Sequence, residues 1–354
     1  MSTPAAPAPI LIGVLYDFPQ ADGGASFEEG VRLGFEVAGA GGRLDRPVEL
    51  VARHARGLPG GSAHEVSTTF AELAAEGVLA AVGPSISDNG LIVGPMADAL
   101  GLPCVNYTGG EQTRGRYMFH YPVGSLGEEP AVLVRHLVAR GCESVAAIYD
   151  NTPVGRGYAD FLREACESAG LELTGTAAVP ALAEDVGPTV HRLRAAEPEA
   201  LVYLGLGVAA RAVALAVAAE RWDVRVVANS SLMFGYTRRD WREGWEGWVY
   251  VDTVADDNAE RQRLRAMSKR IAAGPVGVAA YDIGRLLGEA VARTSHLTRD
   301  GIRDALERVK QLPAASGLDG TTMGFGHYDH GALKGRYLVL RAWEGGRSVQ
   351  VADQ

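Results

Sequence analysis

Short apolar runs alternating with helix-patterned segments constrain this chain more than any other feature. Ile10–Tyr16, Val48–Ala52, Val78–Val82 and Pro103–Asn106 are apolar runs of strand length. Between them Phe27–Val37, Ala63–Glu76 and Leu91–Leu100 carry apolar residues at helical spacing, with Ser26 placed to cap the first. Runs that are apolar at successive positions suit strands buried on both faces, as in parallel sheets covered by helices. The alternation restarts after Gly127. Helices over Pro130–Arg140, around Tyr158–Ala165, and over Val186–Ala196 and Ala209–Arg221 then separate strands at Ser144–Tyr149, Leu171–Thr176, Ala200–Leu204 and Arg225–Ala228. Two such α/β halves fit 354 residues better than one very wide sheet. Gly335–Trp343 reads as a final strand. The 45 glycines, with no Gly-X-Y period, fit the many strand-to-helix turns this pattern requires.

Composition narrows the partners. With 34 basic and 43 acidic residues the net charge is −9, spread without long blocks, so no nucleic-acid partner is expected. The most apolar stretch, Leu201–Ala219, is broken by Gly205, Gly207 and Arg211, which favours strand plus helix over a membrane span. The first nine residues lack a basic segment, an apolar core and a lipid-attachment cysteine. As written, the chain is expected in the cytoplasm; with an export signal removed, it would be periplasmic or extracellular. Cys104, Cys142 and Cys166 form no Cys-x-x-Cys pair and read as reduced, buried thiols. One Cys142–Cys166 disulfide stays open for an exported protein.

Individual motifs have plain readings. Gly205-Leu-Gly207-Val-Ala-Ala210 matches the dinucleotide pattern G-x-G-x-x-A, but the following strand leads to Asn229 rather than an acid, so a tight turn is the better reading. His327-Tyr-Asp-His330, among glycines, reads as a surface turn rather than a metal site. Trp241, Trp245, Trp248 and Tyr250 read as core, and His54, His64 and His191 as solvent-facing. No nucleophile elbow, phosphate loop or nucleophile–base pair stands out, so neither an enzyme nor a cofactor is expected. Three loops after strand ends hold small hydroxyls, amides and glycines: Gly83–Asn89, Asn106–Gly110 and Asn229–Ser231. Such loops bind ligands beyond the carboxyl ends of parallel strands, and the same residues also serve as caps and turns.

Ordered matches along nearly the whole chain carry a resemblance. They are Ile12-Gly13-Val14-Leu15, Gly30-Val-Arg-Leu-Gly34, Gly41-Gly42-Arg43-Leu44-Asp45-Arg46-Pro47-Val48-Glu49-Leu50 (much like "aGGvlGrpvel"), Gly83-Pro84 with Ser87, Leu102-Pro103, Tyr281-Asp282 and Tyr328-Asp329-His330-Gly331. In these the chain resembles the branched-chain amino acid/amide group of type I periplasmic binding proteins. The resemblance implies an α/β fold of two doubly wound parallel-sheet lobes joined by three crossings and closing on a ligand by hinge motion. It places the crossings near Tyr121–Gly124, Asp252–Val254 and Gly324–Tyr328. The lobes are then 1–122 with 254–325, and 123–253 with 326–354.

Carried over residue by residue, the carboxylate-binding serine falls at Ser87 or Asp88, and the backbone-and-hydroxyl loop at Tyr107, Thr108 and Gly109. The aromatic wall falls near Val154, and the amine-binding acid near Asn229 or Ser230. Both are departures, since valine cannot stack as tyrosine does and a neutral side chain cannot neutralise an ammonium. That disfavours a simple zwitterionic amino acid unless Asp17 or Asp88 supplies the charge. Tyr16, Asp17, Met233, Phe234 and Tyr281 complete the expected lining. The implied ligand is a small amide, an aromatic or other carboxylate, or an amino acid derivative. The implied partner is an ABC permease or, in the alternative of a cytoplasmic amide-sensor-like protein, a regulatory protein. Asn229→Ala or Thr108→Ala is expected to weaken binding while barely changing stability.

Overall fold

A computed structural model describes residues 7–18 and 24–352; residues 1–6, where the reading of the N-terminus begins, lie outside the described residues. The chain forms two compact units. One comprises Met1–Val123 and Asp257–Tyr337, the other Gly124–Asp256 and Leu338–Gln354.

The first unit opens with β1 (Ile10–Tyr16), α1 (Gly24–Gly39), β2 (Val48–His54), α2 (Ala63–Ala75), β3 (Ala80–Val82), α3 (Ser87–Leu100), β4 (Cys104–Asn106) and β5 (Met118–His120). These five strands form one parallel sheet in the order β2-β1-β3-β4-β5, a doubly wound arrangement. One apolar cluster joins Leu15, Ala81, Cys104 and Met118 of this sheet to Val66, Phe70, Leu73, Val93 and Ala97 of α2 and α3.

In the second unit come α4 (Glu128–Ala139), β6 (Ser144–Asp150), α5 (Pro153–Ala169), β7 (Glu172–Val179), α6 (Gly187–Arg194), β8 (Ala200–Leu204), α7 (Ala210–Ala219), β9 (Arg225–Ala228), α8 (Arg239–Arg242) and β10 (Val249–Asp252). Successive side chains of a strand point to opposite faces, and β8 shows it. Leu201 and Tyr203 join one core with the tryptophans, while Ala200, Val202 and Leu204 join another with α4 and α5. That two-sided burial is why β8 is apolar at every position. Trp241, Trp245, Trp248 and Tyr250 are all core residues, as read from the sequence.

Back in the first unit, the chain adds α9 (Ala259–Met267), α10 (Pro275–Arg293), α11 (Arg299–Leu306) and the short strands β11 (Leu312–Pro313), β12 (Thr322–Met323) and β13 (Leu333–Lys334), which form a small antiparallel sheet. The final strands β14 (Val339–Glu344) and β15 (Arg347–Gln350) extend the second sheet, giving the order β15-β14-β10-β9-β8-β6-β7 with β14 antiparallel to β10. Residues 326–337 fall in the first unit, whereas the resemblance had assigned them to the second. The cause is local pairing: Leu333 pairs with Met323, and the His120 N–H donates to the His330 carbonyl at 2.8 Å.

The Gly30-Val-Arg-Leu-Gly34 motif has a packing reason. A Cβ on Gly34 would stand 2.3 Å from the Tyr281 carbonyl, and one on Gly284 2.2 Å from that of Val31, so α1 and α10 approach backbone to backbone. Cys104, Cys142 and Cys166 are free and buried. Among the described residues no helix is long and apolar enough to cross a membrane.

Candidate functional site

In the first unit the loops after β1, β3 and β4 meet at the start of α3, and Asp17 organises them. It is buried, and its carboxylate accepts four hydrogen bonds: from Ser85 N at 2.8 Å, Ser85 Oγ at 2.5 Å, Ile86 N at 3.0 Å and Asn89 Nδ2 at 2.9 Å. Burial raises its pKa above the usual carboxylate range while the four donors pull the other way. Asp17 therefore fixes the loop ahead of α3. It is not a charge held out toward a ligand ammonium, which corrects the role expected for it.

What Asp17 leaves open is the helix start itself. Ile86 occupies the N-cap position and no side chain caps α3. The first-turn N–H groups of a helix have no acceptor within it, and the helix dipole adds positive potential there. Ser87 sits in that first turn, and its hydroxyl has no hydrogen-bond partner among the described residues. Asp88 follows in the same turn, half-buried.

The loop after β4 is knit inward. Thr108 is fully buried and its hydroxyl donates to Asn106 Oδ1 at 3.2 Å, while Asn106 Nδ2 donates to Thr113 Oγ1 at 3.1 Å. The Thr108 carbonyl accepts from His120 Nε2 at 2.8 Å, and Arg114 Nε donates to the other ring nitrogen at 3.3 Å. Burial lowers the His120 pKa to about 3, so the ring is neutral with its proton on Nε2. Tyr107 stacks on Phe27, ring centroids 4.5 Å apart. Gly109, half-buried, forms the bend between them and Gly110.

Tyr281 lies elsewhere, wholly buried in α10, its hydroxyl donating to Glu260 Oε1 at 3.3 Å beneath the Arg285 guanidinium. Its neighbour Asp282 ties together Tyr121 (2.7 Å) and the Ala315 N–H (2.9 Å), and burial raises its pKa to about 6. The Tyr-Asp motif thus fastens buried segments of the first unit.

In the second unit the corresponding loops are also held from within. Asn229 is buried and closes on Gly205, accepting its N–H at 3.3 Å and donating to its carbonyl at 3.0 Å; it also accepts from Ser231 Oγ at 2.7 Å. Ser230 turns to Glu129, donating from N at 2.6 Å and from Oγ at 3.2 Å. Glu129 also accepts from Ser125 N at 2.6 Å and the Tyr158 hydroxyl at 2.9 Å, and burial raises its pKa to about 7. Val154, in the first turn of α5, packs against the α4–α5 core, and Phe234 meets Trp241 edge-on at 6.0 Å.

Two residues that organise this unit escaped the sequence reading. Glu129 is one. Asp150, at the end of β6, accepts from Tyr203 Oη at 2.9 Å and Leu206 N at 2.6 Å. Its carboxylate also explains the G-x-G motif: a Cβ on Gly205 would lie 2.3 Å from the Asp150 Cγ. The signal was present, because β1 and β6 both lead to Tyr-Asp, at Tyr16-Asp17 and Tyr149-Asp150. No such duplication marks Glu129. The imidazoles of His327 and His330 both turn to Glu307, at 3.1 and 3.2 Å.

A family model described as periplasmic binding protein matches residues 9–344. No curated protein matches the chain. Among solved structures, a type 1 periplasmic binding protein from Bordetella pertussis Tohama I is similar at TM-score 0.82 and 17% identity, covering 97% of this chain and 100% of its own. The branched-chain amino acid transporter substrate-binding protein LivJ from Streptococcus pneumoniae, solved in complex with isoleucine, is similar at 0.82 and 17%, covering 97% and 99%. An ABC transporter solute-binding protein from Rhodopseudomonas palustris BisB5, in complex with 3,4-dihydroxybenzoic acid, is similar at 0.81 and 16%, covering 97% and 96%.

Proposed function

Since the chain belongs to the periplasmic binding protein family, we propose that it is the substrate-binding component of an ABC transporter, taking a small organic carboxylate and presenting it to a permease. The observation that carries the ligand class is the start of α3: a helix N-terminus without a side-chain cap, beside a Ser87 hydroxyl that has no hydrogen-bond partner among the described residues. Backbone N–H groups and a hydroxyl at such a place suit a carboxylate. The positions nearest the family's amine-binding acid are Asn229 and Ser230, both neutral and both bonded inside their own unit. Asp17 is already satisfied by four donors. A ligand without an ammonium, such as an aromatic acid, fits Asn229, Ser230 and Asp17 better than a zwitterion does; a zwitterion would need Asp88, in the first turn of α3, as its counter-charge.

A thermal-shift panel of aromatic acids, aliphatic carboxylates, amides and amino acids tests this reading. At 100 times its dissociation constant a ligand adds roughly 2.7 kcal/mol, a shift of a few degrees for a protein of this size. A carboxylate hit whose shift falls by about half in Ser87→Ala, as a tenfold loss of affinity requires, supports the proposal. A hit confined to amino acids, or one indifferent to Ser87, overturns the ligand class.

A further inference from the structure

Away from these loops, the first unit carries a cavity of about 460 Å³ walled by Arg114, Arg116, Arg303, His327, Tyr328 and Asp329 among others. In a chain of net charge −9, its wall is basic. The negative groups around it are already engaged. Asp329 pairs with Lys334 and with Arg114, the latter at 3.3 Å. Glu307 holds Arg303 at 2.6 Å as well as His327 and His330. Arg116 stands apart: its guanidinium makes no ion pair among the described residues and rests only over the Tyr117 ring at 5.5 Å. Beside this wall Tyr328 is 98% exposed, its ring edge-on to His327 at 4.7 Å. A tyrosine ring left this open beside an unpaired guanidinium in a concave wall presents both an apolar face and a fork of donors.

We propose that this cavity is a second ligand site, separate from the carboxyl-end loops, for a small oxyanion. Arg116 recognises its charge and Tyr328 covers its body. A guanidinium binds carboxylate and phosphate by the same paired N–H geometry, so both sources share one chemistry. The cavity concentrates the positive potential that draws such an anion in. The inference does not depend on what the α3 loop binds.

The test is calorimetric titration of the full chain with sodium pyrophosphate and, separately, with phthalate, at low ionic strength. Wild type, Arg116→Glu and Tyr328→Ala are compared. Both side chains are exposed and make no hydrogen bond that holds the fold, so unchanged thermal midpoints check that the variants are intact. Saturable binding of either anion, weakened about tenfold or more in Arg116→Glu, supports the site. A response to pyrophosphate alone assigns it to phosphoryl ligands, and a response to phthalate alone to carboxylates, with Tyr328→Ala weakening the aromatic one. Absence of saturable binding of both anions overturns the proposal. So does binding that Arg116→Glu leaves unchanged, because that binding belongs to another site.

Discussion

The two units run the same course, strand for strand. Each is built on five parallel strands whose order is second, first, third, fourth, fifth: β2-β1-β3-β4-β5 in one and β7-β6-β8-β9-β10 in the other. Each first strand leads into Tyr-Asp, and each aspartate binds the loop after the third strand, Asp17 at Ser85 and Ile86, Asp150 at Leu206. Each fourth strand leads to an asparagine that accepts from a hydroxyl two residues on: Asn106 from Thr108 at 3.2 Å, Asn229 from Ser231 at 2.7 Å. The difference lies in what is left over. In the first unit α3, after the third strand, starts without a side-chain cap and carries Ser87 in its first turn; its counterpart α7 in the second unit is also uncapped but opens Ala210-Arg211-Ala212, with no hydroxyl there. At corresponding helix starts the frame thus offers a hydroxyl on α3 and none on α7.

The sharpest way to break the comparison is to remove the two aspartates. Asp17→Ala leaves two backbone N–H groups, a hydroxyl and an amide without their acceptor, at a cost of roughly 3–5 kcal/mol. Asp150→Ala is expected to cost a similar amount in denaturant unfolding. A value under about 1 kcal/mol for Asp150→Ala would mean that the second aspartate is a bystander and the parallel is superficial.

Glu129 sharpens the contrast through pH. Its folded pKa, about 7, is raised above the unfolded one, so between the two values the folded state binds more protons. The stability this gives is complete below the unfolded pKa of about 4.5 and is lost as pH rises through 7. The loss amounts to roughly 3 kcal/mol. Glu129→Gln removes this contribution, so the gap between variant and wild type in unfolding free energy changes by about that amount from pH 4 to pH 8. A constant gap would show that burial does not raise the Glu129 pKa.

Next in size is Asn229→Ala, expected to cost about 1–3 kcal/mol because it leaves the Gly205 N–H and carbonyl unpaired. The sequence alone led to the opposite expectation, that this substitution and Thr108→Ala barely change stability. Both side chains are buried and bonded within their own units, so a loss of binding in either would also report damage to the fold. Ser87→Ala is the smallest in stability, within about 0.5 kcal/mol, and lowers carboxylate affinity about tenfold. Unchanged affinity would remove Ser87 from the site.

The parallel sheets were legible because burial on both faces writes itself as unbroken apolar runs such as Ala200–Leu204. The loops were legible as places but not as roles. Composition marks Asn, Ser and Thr at a strand end equally whether they face a ligand or close a turn. Only the geometry separates Ser87, unpartnered among the described residues, from Thr108, Asn229 and Ser230, which are bonded. Asp17 was identified as a site residue, yet its four donors come from residues 68 to 72 positions away, a distance no local pattern records. Glu129 was hidden for the same reason, its partner Ser230 lying 101 residues on.

The central claim is that this family member takes a carboxylate without a neighbouring ammonium. Titration calorimetry of the purified chain with 3,4-dihydroxybenzoate and with isoleucine tests it directly. The account predicts saturable binding of the aromatic acid that Ser87→Ala weakens about tenfold, and no saturable heat with isoleucine. Tight binding of isoleucine with none of the aromatic acid would contradict it. That result would assign the ammonium to Asp88, the acid in the first turn of α3.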